Sequence, residues 1–260
     1  MTELSNVAVV TGAAGIIGTA ICAELIRRGS VVVAIDSVDP EVGVGETFRA
    51  DITDQAAVAA VATRVAATYG HVDWLVHAAA VTSRSPGIGV AGELASIDLR
   101  VWRQLIDVNL TGALICVQEF LPLLKRSRAP KIVLLGSIQG LVPTLGTGAY
   151  GVSKVALAGL TRQLASELAG IGVTVNMLSP GPIAADDFLE PGVDRVDSRP
   201  TPMRRFGSTK EVARAVTAIV DGQFDYMTGS VIPLDGGEHL RPRADPAQHD
   251  DDSFSPERDT

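Results

Sequence analysis

The stretch NVAVVTGAAGIIGTAICAELIRRG, residues 6–29, constrains the fold of this 260-residue chain more than any other. Val7 to Val10 is a continuous apolar run rich in β-branched residues, the pattern of a strand buried on both faces. Ile16 to Ile26 repeats its apolar positions at helical spacing and stops at Gly29. The turn between them carries Gly12, Gly15 and Gly18. A strand that enters a helix through three glycines allows close helix packing, and it lets amides at the helix start face a pyrophosphate. Two readings stand on the turn alone: a packing device, or a dinucleotide cradle made by Gly12, Gly15, Ile17 and Gly18.

The next segments favour the cradle. Val31 to Ile35 is a second apolar strand ending in Asp36, about twenty residues beyond the glycines, where a carboxylate accepts hydrogen bonds from an adenosine ribose and repels a 2′-phosphate. Ser37, Val38 and Asp39 follow with no Arg or Lys, so the expected cofactor is NAD rather than NADP. Thr47 to Ala50 reads as a short third strand followed by Asp51 and Ile52, and Gln55 to Tyr69 as an alanine-rich helix. Asp73 to His77 opens a fourth strand, whose Ala78, Ala79 and Ala80 either let a flat cofactor lie on the backbone or mark tight packing. Strands alternating with helices predict an α/β fold, a Rossmann-type doubly wound parallel sheet in a single domain. With 46% hydrophobic and only 4% aromatic residues, the composition suits helices packed closely on a sheet.

YGVSKVALAGLTRQLASE, residues 150–167, reads as an amphipathic helix with Val152, Val155, Ala156, Leu160 and Leu164 on its buried face. Tyr150 and Lys154 then lie one turn apart on one face. An ammonium beside a phenol stabilises the ionised phenol, which makes the pair a candidate acid/base unit. Accidental four-residue spacing gives the same letters.

Together these residues resemble the short-chain dehydrogenase/reductase family, and the likeness runs from Asn6 to Gly237. It is carried by Thr11-Gly12…Gly18, Asp36, Asp51, Asn109 in VNLTG, Ser137 thirteen residues before Tyr150, Tyr150-x-x-x-Lys154, Asn176 in VNMLSPG, Pro180-Gly181 and Asp235-Gly236-Gly237. The resemblance implies a catalytic set of Asn109, Ser137, Tyr150 and Lys154. In it Tyr150 exchanges the proton and Ser137 binds the substrate oxygen. Lys154 binds the nicotinamide ribose and lowers the Tyr150 pKa, and Asn109 holds a relay water. It implies NAD contacts from Gly12, Gly15, Ile17, Gly18, Asp36, Asp51, Ile52, Ala78, Ala79, Tyr150, Lys154, Pro180, Gly181 and Ile183. It also implies a substrate pocket of Ser137, Gln139, Leu145 and Tyr150, with Leu141 and Thr147 as further wall. Three departures stand out: Gly15-Ile16 in place of the shorter-chain members' glycine spacing, HAAA at 77–80 in place of NNAG, and Ala185 in place of a threonine.

Residues 184–202 fall where family members place a substrate lid, and its Asp186, Asp187, Arg195 and Arg199 are candidates to meet a polar substrate. The domain is expected to span 1–240, with 241–260 a disordered tail. From Glu238 onward, seven acidic residues against three basic leave a balance of −4, half of the net −8. Acidity of this kind argues against a nucleic-acid partner. Cys22 and Cys116 stand far apart without a CxxC or a His at ligand spacing, which points to no metal and to a reducing, cytoplasmic setting. No run reads as a membrane span, and His71, His77, His239 and His249 receive no catalytic task. The expected activity is an NAD-dependent oxidoreductase acting on CH-OH groups, interconverting a small-molecule secondary alcohol and a ketone, in a homotetramer or homodimer. A non-catalytic dinucleotide-binding or redox-sensing protein on the same fold is the alternative.

Overall fold

A computed structural model of the chain describes residues 5–40, 43, 45–82, 85, 93–184 and 201–240. Seven strands form its main sheet: β1 (Val7–Thr11), β2 (Val31–Asp36), β3 (Glu46–Arg49), β4 (Trp74–His77), β5 (Lys131–Leu135), β6 (Thr174–Pro180) and β9 (Val231–Leu234). Their order is β3-β2-β1-β4-β5-β6-β9, and every pairing is parallel. β7 (Ile183–Ala184) and β8 (Gly207–Ser208) make a separate two-stranded ribbon. β1 shows why the strands are apolar throughout. Val7 and Val9 face one core while Ala8 and Val10 face another, so neither side of the strand meets water.

Helices α1 (Ile16–Arg27) and α6 (Thr209–Val220) close one core with Ile21, Leu25, Val212 and Val216. α2 (Gln55–Tyr69), α4 (Gly112–Leu124) and α5 (Gly148–Leu168) close the other. α2 begins where Asp54 accepts from the Ala56 and Ala57 amides at 2.9 and 3.1 Å, and it ends at left-handed Gly70. α3 (Leu99–Ile106) runs into α4 through a π-helical turn at Asp107–Thr111. Strand order reverses between β1 and β4, and the carboxyl ends of the strands open a crevice there, where this architecture binds ligands.

The alternation of strands and helices matches the sequence reading, but the buried face of α5 does not. Val152 and Val155 are 38% and 55% exposed, and the inward face carries Ala149, Ser153, Lys154, Leu157, Thr161, Leu164 and Leu168. Hydrophobic spacing misplaces this face because three of its polar residues find carbonyl partners, two on the helix itself and one on β5. Ser153 Oγ donates to the Tyr150 carbonyl at 2.7 Å, Thr161 Oγ1 to Leu157 at 2.8 Å and Lys154 Nζ to Leu135 at 2.8 Å. The helical run Leu99–Leu124 is long and apolar enough, by length and composition alone, to cross a membrane. Its Leu105, Ala113, Cys116, Val117, Phe120 and Leu124 are instead buried inside the protein. The expected lid at 184–202, with Asp186, Asp187, Arg195 and Arg199, lies outside the described residues except for its ends, as do Ala185 and the tail 241–260.

Candidate active site

The glycine turn is built by contact rather than by flexibility alone. Gly12 has φ +68°, and a Cβ there would stand 2.5 Å from the Ala79 nitrogen. A Cβ at Gly18 would stand 1.9 Å from the Gly12 carbonyl oxygen. Both glycines therefore hold β1, α1 and the Ala78-Ala79 backbone together at a distance no side chain permits. Gly15 is different: it is exposed at the N-cap of α1, makes no side-chain cap, and no acidic residue stands in the first turn. Those first-turn amides have the partial positive charge of a helix start and no carboxylate to answer it, which fits a pyrophosphate. Ile17 is half-buried and packs into the α1–α6 core, while Ile16 points outward, 58% exposed.

Asp36, at the end of β2, accepts from the Ala14 amide of the glycine turn at 2.9 Å and from the Val38 amide at 3.3 Å. Its carboxylate is thereby fixed beside the cradle. The sequence contains no cation just after Asp36, but the fold supplies one. Arg49 is the register partner of Asp36 on β3, and its Nε donates to the Ser37 carbonyl at 3.1 Å. Only strand pairing reveals this neighbour. Asp51 accepts from Thr53 through amide and hydroxyl at 2.9 and 2.8 Å, and buried Ile52 fills the space beside Gly112.

His77, in place of the asparagine of other members, is buried and shares a 2.9 Å hydrogen bond between its Nδ1 and Thr11 Oγ1. This bond is a side-chain tie from β4 to β1. Burial, reinforced by the nearby Lys154 charge, pushes the imidazole down to about 3, so it is neutral at physiological pH. Its Nε2 is buried without a partner.

Tyr150, Lys154 and Ser137 meet at the carboxyl ends of β5 and β6. Gly136 between β5 and Ser137 sits so close to Met177 and Ser179 that a Cβ would stand 2.0 Å from the Met177 Cε. Ser137 accepts from the Gln139 amide at 3.2 Å and hydrogen-bonds the Tyr150 phenol. Tyr150 packs against a small cluster containing Val101, Leu105 and Ala149. Burial raises its pKa, and the Ser137 hydrogen bond offsets only part of that rise. The expected lowering by Lys154 is not the result found in the protein alone. The ammonium lies over the ring, 5.5 Å from its centroid, rather than at the hydroxyl. Lys154 is itself pushed down to about 8 by burial. Asn109, fully buried in the π turn, accepts from the Val81 amide at 2.8 Å and donates to the Val81 carbonyl at 3.0 Å and to Ser153 Oγ at 3.1 Å. Its side chain therefore braces the loop after β4 against α5.

Pro180 ends β6, Gly181 follows it, and Ile183 opens β7. Gly181 donates to the Leu234 carbonyl at 3.0 Å, and a Cβ there would stand 2.8 Å from the Asp235 Cα. Asp235 in turn accepts from Gly237 and His239 amides at 3.0 and 2.7 Å, which gives the Asp-Gly-Gly motif a structural task. Between Ser137 and Tyr150, Leu145 is fully exposed and Leu141 is 41% exposed. Leu94, which the sequence reading did not single out, packs against Gly148, two residues before Tyr150.

Residues 12–239 match the family model described as enoyl-(acyl carrier protein) reductase. The cis-4-hydroxycyclohexanecarboxylate dehydrogenase of Sinomonas cyclohexanicum is 32% identical over 248 residues, covering 89% of this chain and 96% of that protein. The 3-oxoacyl-(acyl-carrier-protein) reductase of Staphylococcus aureus is 30% identical, covering 92% of this chain and all of its own length (100%). Among solved structures, the ligand-free aldohexose dehydrogenase of Thermoplasma acidophilum superposes with a TM-score of 0.82 at 30% identity, covering 93% and 96% of the two chains.

Proposed function

Because this chain belongs to the short-chain dehydrogenase/reductase family, we propose that it is an NAD(H)-dependent oxidoreductase interconverting a secondary alcohol and a ketone. One observation carries the reading: Ser137 hydrogen-bonds the Tyr150 phenol and Lys154 stands over its ring, in a fold whose α1 also starts with uncapped amides. The uncapped amides of α1 would hold the pyrophosphate. Asp36 would hold the adenosine ribose, with Asp51 and Ile52 beside the adenine and Ala78 and Ala79 beneath. Pro180, Gly181 and Ile183 would flank the nicotinamide. Bound there, the nicotinamide supplies the acceptor or donor of a hydride. Ser137 holds the substrate oxygen, and Tyr150 Oη takes the hydroxyl proton in oxidation or returns it in reduction. Lys154 holds the ribose and stabilises the ionised phenol, and Asn109 keeps the surrounding loops in register for proton exchange with solvent. A non-catalytic sensor has no chemical need of this set. Titrating NADH by fluorescence while screening alcohols for oxidation separates the two. Binding without any turnover across a broad panel would favour the sensor.

NAD over NADP rests on Asp36, whose carboxylate is tied to the glycine turn, whereas Arg49 already bonds Ser37 and lies 3.9 Å from Asp39. NADH is expected to bind roughly tenfold to a thousandfold more tightly than NADPH, through repulsion of the 2′-phosphate. Comparing the two dissociation constants checks it, and tighter NADPH binding would assign Arg49 the controlling part.

A homo-oligomer, tetramer or dimer, is part of the same proposal. Val152 and Val155 leave an apolar stripe on the outer face of α5, and Gly159 there has open space around it. Burying that stripe against a second copy removes it from water. Light scattering at micromolar concentration should give more than one subunit mass, and a monomeric active protein would remove this part. We also place the protein in the cytoplasm, since Cys22 and Cys116 are buried free thiols, each pushed up to about 12 by burial. Cell fractionation tests that location.

A further inference from the structure

We propose that the substrate carries a second hydroxyl on an otherwise apolar skeleton, and that Gln139 is the residue that recognises it. This rests on the alcohol–ketone reading above and deepens it. Gln139 stands two residues after Ser137. Its amide donates to Ser137 Oγ at 3.2 Å, and its carbonyl lies where a Cβ on Gly151, next to Tyr150, would stand 3.0 Å away. The residue is thus wedged between the two groups that hold the reacting oxygen. Its side-chain Oε1 is buried and has no hydrogen-bond partner.

A buried amide oxygen without a donor is a standing penalty, and proteins retain few of them. Here a second such atom stands close by. Ser179 Oγ is also buried and unpartnered, and a Cβ at Gly136, the residue before Ser137, would stand 2.7 Å from it. One unpartnered polar atom thus packs against Gly136, the residue before Ser137, and another belongs to Gln139, two residues after it. Around them the chemistry is neutral: between Gly136 and Ser153 the sequence contains no charged residue. The exposed side chains of this stretch are apolar, Leu141 at 41% and Leu145 at 100% exposure, and Leu94, which meets Gly148, is 48% exposed. An ionic group on the substrate finds no counter-charge along this wall, whereas a hydroxyl finds an acceptor in Gln139. A site that keeps a polar group for a substrate hydroxyl rejects the analogue lacking it, because the analogue leaves that group unpaired.

The test compares kcat/KM for cyclohexanol, the cis and trans cyclohexane-1,2- and 1,3-diols, and 2-methoxycyclohexanol, with both NAD and NADP supplied. The methoxy compound has a similar size to the 1,2-diol but no second O–H. In the wild-type protein at least one diol should exceed both cyclohexanol and 2-methoxycyclohexanol by about tenfold or more. The readout is the ratio within each protein, so changes in overall activity cancel. Gln139→Leu should bring that ratio near one, and Gln139→Glu, which keeps an acceptor oxygen at the same reach, should restore most of it. Diols no better than cyclohexanol in the wild type, or a preference untouched by Gln139→Leu, would overturn the assignment while leaving the alcohol–ketone reading in place. Absence of turnover with every compound, despite NADH binding, would remove that reading and this inference with it.

Discussion

Tyr150→Phe is expected to leave NADH binding within about threefold of wild type while oxidation of any accepted alcohol falls by a hundredfold to ten-thousandfold, the usual worth of a positioned acid/base. The separation follows from where the oxygen sits. The ring packs with Val101, Leu105 and Ala149, and a phenyl ring keeps that packing. The hydroxyl makes its contact with Ser137, which keeps a second partner in the Gln139 amide after the oxygen is gone. Folding should lose about 1 kcal/mol, the net value of a typical hydrogen bond. Turnover loses its proton acceptor and the hydrogen bond to the developing alkoxide. Stopped-flow measurement under conditions where hydride transfer limits the rate is the decisive check. More than a tenth of wild-type turnover in the variant would mean that another group handles the proton.

Lys154→Met should uncouple stability from activity in the opposite sense. The wild-type ammonium is fully buried, donates to the Leu135 carbonyl at 2.8 Å and has no carboxylate partner among the described residues, and burial pushes its pKa down to about 8 from 10.5. A base with a depressed folded-state pKa binds fewer protons folded than unfolded between those two values. Its burial therefore opposes folding fully below about pH 8, and the opposition fades as pH rises toward 10.5. Methionine keeps the stem and removes the charge, at the expense of leaving Leu135 without its donor, which costs roughly 1–3 kcal/mol. The stability of wild type relative to the variant should rise across the window from about 8 to 10.5, in urea melts done in parallel. Cys22 and Cys116, whose thiols rise from 9.0 to about 12 on burial, contribute alike in both proteins and cancel in the difference. Turnover should nevertheless fall by about a hundredfold or more, since the ribose and the ionised phenol lose their cation. A flat stability difference would show that Lys154 is not the buried charge described, and undiminished turnover would remove it from the mechanism.

Much of the scaffold is legible in sequence because both of its periodicities are strong. Val7 to Val10 is apolar on both faces since both faces are covered, and Gln55 to Tyr69 is bounded by a capping Asp54 and a left-handed Gly70. Family order and spacing then bring Ser137, Tyr150 and Lys154 to one place. What sequence does not show is a neighbour contributed by another strand or turn. Arg49 reaches the Asp36 loop through strand register, and Leu94 reaches the start of α5 through its contact with Gly148. The face of α5 is misread for another reason. Ser153, Lys154 and Thr161 look like surface residues until their carbonyl partners, on the helix for two of them and on β5 for Lys154, are counted. His77 belongs with them: a titratable letter in the sequence, it is a neutral tie between two strands in the fold.

The π turn at Asp107–Thr111 sets the phase of everything that follows it. Inward positions along the run are Val101, Leu105, Asn109, Ala113, Cys116, Val117, Phe120 and Leu124. Counting an unbroken period of about 3.6 residues from Val101 would instead turn Ile115 and Glu119 toward the sheet. One extra residue in the wider turn moves the count forward, so that Glu119 stays at the solvent edge, where it accepts from Gln55 Nε2 at 2.8 Å, and Phe120 enters the core. The polar bracing of Asn109 and the greasy packing of α4 are thus two halves of one rod cut to different clocks. The single inserted residue between them lets a helix that starts as an active-site wall finish as a core element.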